Sequence, residues 1–223
     1  TSGYRNRTIK NASADATIAM AIDFNSAGEK LTKSSVLAQN KKYIAVDLNN
    51  SDTVDIDKIV KELNSVNAKS LNIAGNGIYT FKEEWNQTQI DSYVYDLLKD
   101  IINHPNLKTK ITSIRTGGQT GVDEAGAKAG IRLGIPTTIL APKGWVFRDI
   151  NGRDISNEQQ FKNRFNIEIT TNKEETLPSI SEISNKELSL QMSVGDYMKT
   201  LTKEQRELLR ELMDNKIIEF RCK

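Results

Sequence analysis

Apolar residues return along this chain in two rhythms. Short continuous runs at 16–22 (ATIAMAI), 43–46, 71–74, 111–114 and 137–140 have the length and β-branched content of strands buried on both faces. Between them, apolar residues recur every third or fourth position, the helical spacing. The stretch 56–66 carries them at 56, 59, 60, 63 and 66, and 88–103 carries Ile90, Tyr93, Val94, Leu97, Leu98, Ile101 and Ile102. Residues 29–39 and the Ala-rich stretch ending near Gly134 read as helices too, and 4–11 as a short polar helix or turn. Residues 49–55 are polar and loop-like, while 78–85 is aromatic and mixed, with no period to assign it.

Strands alternating with helices predict an α/β fold, a Rossmann-like parallel sheet with helices on both faces. Ligands of such sheets sit beyond the carboxyl ends of the strands. The small-residue turns at 25–28, 75–77, 117–121 and 143–144 all fall at that edge, which predicts one composite site.

The turn after the fourth run is the richest in chemistry. A strand breaks into Gly117, Gly118, Gln119, Thr120 and Gly121 and resumes as a helix. Glycines let the main chain take φ > 0 and let a ligand approach where a Cβ would collide. A helix start beside them aims N–H groups and the positive dipole end at an anion. The expectation is a phosphate held by the N–H groups and the Thr120 hydroxyl; the plainer alternative is a tight turn that binds nothing. Arg7 and Lys143 would supply positive charge, with Arg5 behind them. Ser26 and Gly28 form the second turn, Gly75 and Gly77 the third. Asp123 suits a ribose hydroxyl or a cap on backbone amides better than a phosphate. Asn76 and Tyr79 would touch a base or ribose, or serve only the loop, and Trp145 is a lid or a core anchor.

At 223 residues the chain can bury one sizeable domain with an appendage. Hydrophobic residues at 37% and charged residues at 27% are those of a globular protein. With 31 Lys and Arg against 29 acidic residues, no overall field marks a nucleic-acid binder. One cysteine, Cys222, rules out a disulfide framework and a Cys-based zinc site, and no protein-ligated metal is expected. One histidine, His104, leaves a His-centred triad without material, so acid–base chemistry falls to carboxylates, Lys or Tyr. No apolar run reaches the length of a membrane span and no signal-peptide pattern opens the chain, which points to the cytoplasm. The expected organisation is a ligand-binding domain over 1–170, a Thr/Ser/Glu-rich linker over 171–185, and a helical tail over 186–223. Residues 167–170 read as one more strand. The tail's stripe of Leu208, Leu209, Leu212 and Met213 packs on its own domain or, less favoured, on a second copy.

The segment GGQTGVDEAGAKAGIRLGIP, followed by APKGW, resembles the first half of the molybdenum-cofactor carrier family. That family lies within the Rossmann-like nucleotide-binding group called SLOG, with the Lonely Guy phosphoribohydrolases and the DNA-processing protein A. The family's second half is a Tyr-x-x-Arg-Thr helix start, an Asp-Ala before an apolar strand, a small-residue turn and a further strand ending near Asp. Here YRNRTIKN, ADATIAMAIDF and SAGEKLTKSSVLAQNKKYIAVDL resemble it, but they precede the first half. The order implies a circular permutation joined near the helix at 56–66. A fragment lacking its own first half, or a domain-swapped copy, would give the same order. Permutation is preferred because the two halves supply one complete set of strands.

The resemblance implies a nucleotide or phosphorylated nucleotide-like ligand, and by itself no reaction. At Glu29 the chain departs from the family, which has a small or hydroxyl residue there. A carboxylate suits a helix N-terminus and repels a phosphate. Three functions follow in order of preference. The first is a ligand binder without catalysis: a sensor, carrier or sequestering protein. The second is a nucleotide N-glycosidic hydrolase resembling the phosphoribohydrolases, with Glu29 or Asp123 catalytic. The third is a single-stranded DNA module, disfavoured by the near-neutral charge. The ligand's identity, its cofactor status and the pairing of copies stay open.

Overall fold

The computed structural model describes residues 2–81 and 84–165, with side chains from residue 5. The expected strand at 167–170, the linker and the helical tail lie outside those residues. In chain order the elements are α1 (Ser2–Asn11), β1 (Ala16–Ala21), α2 (Ala27–Leu37), β2 (Lys42–Asp47), α3 (Ile56–Ser65) and β3 (Ser70–Gly75). Then come α4 (Ile78–Phe81), α5 (Gln87–Ile102), β4 (Ser113–Thr116), α6 (Val122–Arg132), β5 (Thr137–Ile139), β6 (Val146–Arg148), β7 (Asp154–Ser156) and α7 (Glu158–Asn163).

Five strands pair in the order β2-β1-β3-β4-β5, and every pair is parallel. Right-handed crossovers then put α2, with α1 against it, on one face and α3, α5 and α6 on the other. All six residues of β1 are buried, as its unbroken apolar sequence demands of a strand covered on both sides. Ile18, Met20, Leu71, Ile73 and Ile114 from the sheet pack with Val60, Leu63, Val94, Leu98 and Ile101 from α3 and α5.

From β1 the chain crosses to β2 at one edge, then returns past β1 to β3 and continues outward to β4 and β5. The strand order reverses between β1 and β3, and at such a point the loops splay apart and leave a crevice. The sequence-expected elements agree with these within two residues at most ends. Both ends shift by two residues at 29–39, where α2 runs Ala27–Leu37, and in the fourth run, where pairing begins at Ser113 and not Ile111. Ile111 is buried, but the Thr112 N–H bonds the Lys69 carbonyl in the lead-in to the ladder, at 2.8 Å.

Two stretches differ in kind. The polar loop at 49–55 contains a 3-10 helix, Leu48–Thr53, capped by the Asp47 side chain accepting from the Asn49 N–H. The polar, charged stretch 152–165, whose sequence suggests a loop and a short helix, also holds β7, which pairs with β6 in an antiparallel hairpin before α7. Three-residue strands are too short to show a period, so alternation could not reveal them.

Candidate functional site

The carboxyl edge of β1, β3 and β4 opens into a cleft of about 1000 Å³. It is built from four turns and one helix face. Ser26, Gly28 and Glu29 come from the start of α2, and Gly75, Asn76, Gly77 and Tyr79 from the end of β3. Gly117, Gln119, Thr120 and Asp123 come from the turn into α6, and Lys143 from the loop after β5. Arg7, Thr8 and Asn11 reach in from α1, where spacings of three and four residues set Asn11 beside Thr8 and Arg7. The composite site expected from the turns is thus a single space. Arg5, Gly118 and Gly121 are not among its lining residues: Arg5 is exposed on α1, and the two glycines are buried in the turn.

Gly121 is needed for its backbone. Its φ is +83°, and a Cβ there would stand 2.4 Å from the Asn76 carbonyl oxygen and 2.7 Å from the Ile78 nitrogen. The turns at 75–77 and 117–121 therefore touch main chain to main chain, a closeness only glycine permits. Asn76 is the clasp beside them. Its Oδ1 accepts from the N–H groups of Ile22 and Asp23 at 3.0 and 2.9 Å, and its Nδ2 donates to the Asp23 carbonyl at 3.1 Å. Its own carbonyl accepts from the Val122 N–H. Asn76, which also lines the cleft, thus has a structural role, because β1 and β3 end and α6 begins beside it and their backbone groups need partners.

Several donors of the glycine turn also bond inside the protein. The Gln119 N–H reaches Asp123 Oδ2 at 3.3 Å, and the Gly117 N–H also supports that carboxylate. The Gly121 N–H donates to Gln87 Oε1 at 2.6 Å. The Thr120 hydroxyl donates to the Arg148 carbonyl at 2.6 Å, and the Gln119 side chain holds β6 through the Val146 carbonyl and the Arg148 N–H. The turn thus supports Asp123 and ties down the hairpin. A carboxylate two residues into the helix takes the place an external anion would want.

Glu29 is the counterpart at α2. The Ser26 hydroxyl caps the helix by accepting from the Glu29 N–H at 3.3 Å. The side chain of Glu29 is only 4% exposed, and its Oε2 has no hydrogen-bond partner. Burial, then the Asp123 and Asp23 charges, push its carboxyl up from 4.5 to about 7. Burial lifts Asp123 to about 6, against the opposing pull of the Gln119 N–H, the Arg7 charge and the Gly117 N–H. Two carboxyl groups with midpoints near neutrality therefore share one cleft, a setting in which one can hold a proton while the other is ionised.

Sequence reasoning missed three contributors. Asn11 Oδ1 and Asn72 Oδ1 are buried in the cleft lining and unpartnered, like Glu29 Oε2. Arg148, on β6, lines the rim and pairs with Asp154 at 2.7 Å. Asn72 could have been found as the polar interruption of an otherwise apolar run; Arg148 could not, because its strand left no signal. Tyr79 is 49% exposed at the rim, its ring against Gly152. Trp145 sits edge-on to Phe161 with ring centroids 5.5 Å apart, the anchor of the two roles open to it. Among the described residues, no group of His, Cys, Asp and Glu is placed to hold a metal, and no helix is long and apolar enough to cross a membrane.

No curated protein matches the chain. Among solved structures, the ureidoglycine-glyoxylate aminotransferase of Bacillus subtilis aligns at 11% identity with a TM-score of 0.30. That alignment takes in 77% of this chain and 41% of the aminotransferase, so the chain spans about two-fifths of that protein's length, and a likeness this slight decides nothing. The family comparison is informative. Residues 1–102 match the circularly permutated YpsA SLOG family, a span that holds α1, the Glu29 turn and the Asn76 turn and stops before the glycine turn at 117–121. With the parallel five-stranded sheet, residues 1–102 are similar to the SLOG superfamily in circularly permuted form.

Proposed function

We propose that the cleft binds a nucleotide-like phosphorylated small molecule, as a sensor, carrier or sequestering protein would. One observation carries the reading. Among the described residues, the buried side-chain atoms without a hydrogen-bond partner are Asn11 Oδ1, Glu29 Oε2, Asn72 Oδ1 and Arg164 Nε, and the three oxygens all belong to residues that line the cleft. An unpaired buried polar atom costs about 1–3 kcal/mol, so a cluster of them is what a site waiting for a polar ligand looks like. The volume of about 1000 Å³ suits a molecule of nucleotide size. The similarity of residues 1–102 to the SLOG family points the same way, toward a nucleotide-related ligand. The test is to incubate the protein with a mixed nucleotide panel, wash, denature and analyse the released small molecules by mass spectrometry. Recovery of one intact compound supports the reading; a panel left wholly unretained and unchanged refutes it.

The Glu29–Asp123 pair favours a second reading, hydrolysis of a nucleotide N-glycosidic bond. Cleaving that bond builds positive charge on the sugar ring and needs an activated water, and two carboxyl groups of different proton affinity serve both needs. Free base and sugar phosphate would appear only when protein is present. Glu29→Gln would then abolish turnover and spare binding; unchanged turnover refutes this role.

A further inference from the structure

Two helix N-termini face the cleft, those of α2 and α6, and either could hold a ligand phosphate. Each already carries a carboxylate of its own. Asp123 is bound by the turn at the start of α6, and Glu29 stands in the first turn of α2. The unpartnered atoms beside them are oxygens: Glu29 Oε2, Asn11 Oδ1 and Asn72 Oδ1, on residues that are 4%, 6% and 2% exposed. The exposed cations Lys143 and Arg148 lie on the loop after β5 and on β6, Arg148 paired with Asp154, while Arg7 on α1 acts on Asp123. The cleft therefore combines buried, unpartnered acceptors with exposed cations at Lys143 and Arg148.

We infer that the floor takes a group presenting two adjacent N–H or O–H donors, with Glu29 as their acceptor, and that the ligand's phosphate lies at the Lys143–Arg148 rim. This rests on the nucleotide reading above and says which end of the ligand goes where. A carboxylate accepts two parallel donors through its paired oxygens, the geometry that makes such contacts both strong and selective. In a nucleotide that chemistry has two sources, the ribose cis-diol and the amino-lactam edge of guanine. A phosphate at the same place would face Glu29, Asp123 and Asp23 together, offset only in part by the Arg7 charge that acts on Asp123. The glycine turn serves the floor indirectly: by binding Asp123 it holds a second negative group near Glu29.

The experiment measures equilibrium binding of AMP, 2′-deoxy-AMP, GMP and IMP to the full chain and to its Glu29→Gln variant by calorimetry. A diol at the floor makes 2′-deoxy-AMP at least tenfold weaker than AMP; an amino-lactam edge makes IMP at least tenfold weaker than GMP. In Glu29→Gln that penalty shrinks to within threefold, since one carboxamide oxygen cannot accept both donors. Binding of all four with no such penalty, or with the same penalty in the variant, overturns the inference and leaves the nucleotide reading standing.

A phosphate-free probe covers the case in which no nucleotide binds. Guanidinium chloride at tens of millimolar presents paired N–H donors, and the Glu29 carboxyl carbon is followed by NMR through a pH titration against sodium chloride of equal ionic strength. The groups coupled to Glu29 are Asp123, Asp23 and Tyr43, and they are titrated in parallel. A lowered Glu29 midpoint with guanidinium alone sustains the donor-pair floor, even if the nucleotide reading falls. An identical midpoint in both salts overturns it.

Discussion

Glu29 should make the folded protein less stable as the solution becomes more basic, and Glu29→Gln should remove most of that loss. The unfolded chain's Glu29 carboxyl titrates near 4.5, while burial and the Asp123 and Asp23 charges raise it to about 7 in the folded protein. Between those values the native state binds more protons than the unfolded state, so stability declines with rising pH. It is fully retained below about 4.5 and reaches its lowest value above about 7. At about 1.4 kcal/mol for each tenfold change, the displacement amounts to about 3 kcal/mol. The side chain is almost wholly buried, so solvent screens little of it. Gln has the shape of the protonated acid and cannot ionise. The variant and the wild type should therefore match in stability at pH 4.5, with the variant about 3 kcal/mol more stable at pH 8. Asp123 titrates in the same sense, so some pH dependence survives in the variant. Urea denaturation of both proteins at pH 4.5, 6, 7 and 8 measures the difference. A gap that stays constant across the series, or a wild type that gains stability from pH 6 to 8, refutes the reasoning. A residue kept at such a cost is the kind that function retains.

Other perturbations test the frame around the cleft. Asn76→Ala removes three hydrogen bonds and strands the N–H groups of Ile22 and Asp23, so it should cost about 2–4 kcal/mol by urea denaturation, and a loss below about 1 kcal/mol would refute the clasp. Gly126→Ala would put a Cβ 2.5 Å from Ile73 Cγ2 where α6 lies on β3. Overpacking of about 1–3 kcal/mol should outweigh the better helix propensity of Ala, and an unchanged or raised midpoint would refute it. Arg164 forks between Glu124 Oε2 at 2.6 Å and the Gly118 carbonyl at 2.8 Å, with Phe147 and Phe161 against its guanidinium. Arg164→Lys should therefore destabilise by about 2 kcal/mol, because an ammonium cannot reproduce the planar fork; a wild-type midpoint would show that charge alone suffices. If the rim holds the ligand's phosphate, Lys143→Ala should weaken nucleotide binding about tenfold at low salt and flatten its salt dependence in calorimetry.

What the sequence determined is the sheet and the place of its site. The unbroken run at 16–22 has no polar face to expose, so it must be a strand covered on both sides, and β1 is one. The recurrent apolar positions of α3 and α5 fix which faces turn inward, and Ile59, Val60, Leu63, Val94, Leu97 and Leu98 are buried accordingly. Glycine-rich turns after apolar runs put the cleft at the carboxyl edge before any coordinates are considered. The inverted order of the two halves was legible as well, because each half carries its own motif.

What each turn does was decided only by the tertiary structure. A glycine turn before a helix looks the same in sequence whether its N–H groups face a phosphate or a neighbouring carboxylate. The choice depends on where Asp123, Gln87 and Arg148 come to lie, and those partners are 4, 34 and 28 positions from the donors they satisfy. Asn76 reads as a ligand contact until β1 and α6 arrive on either side of it with unpaired backbone groups. Glu29 reads as a helix-start carboxylate until folding buries it beside Asp123. The sequence sets hydrophobic periodicity locally, residue by residue, whereas hydrogen-bond satisfaction and proton affinity are properties of what surrounds a group, and only the closed fold supplies those surroundings.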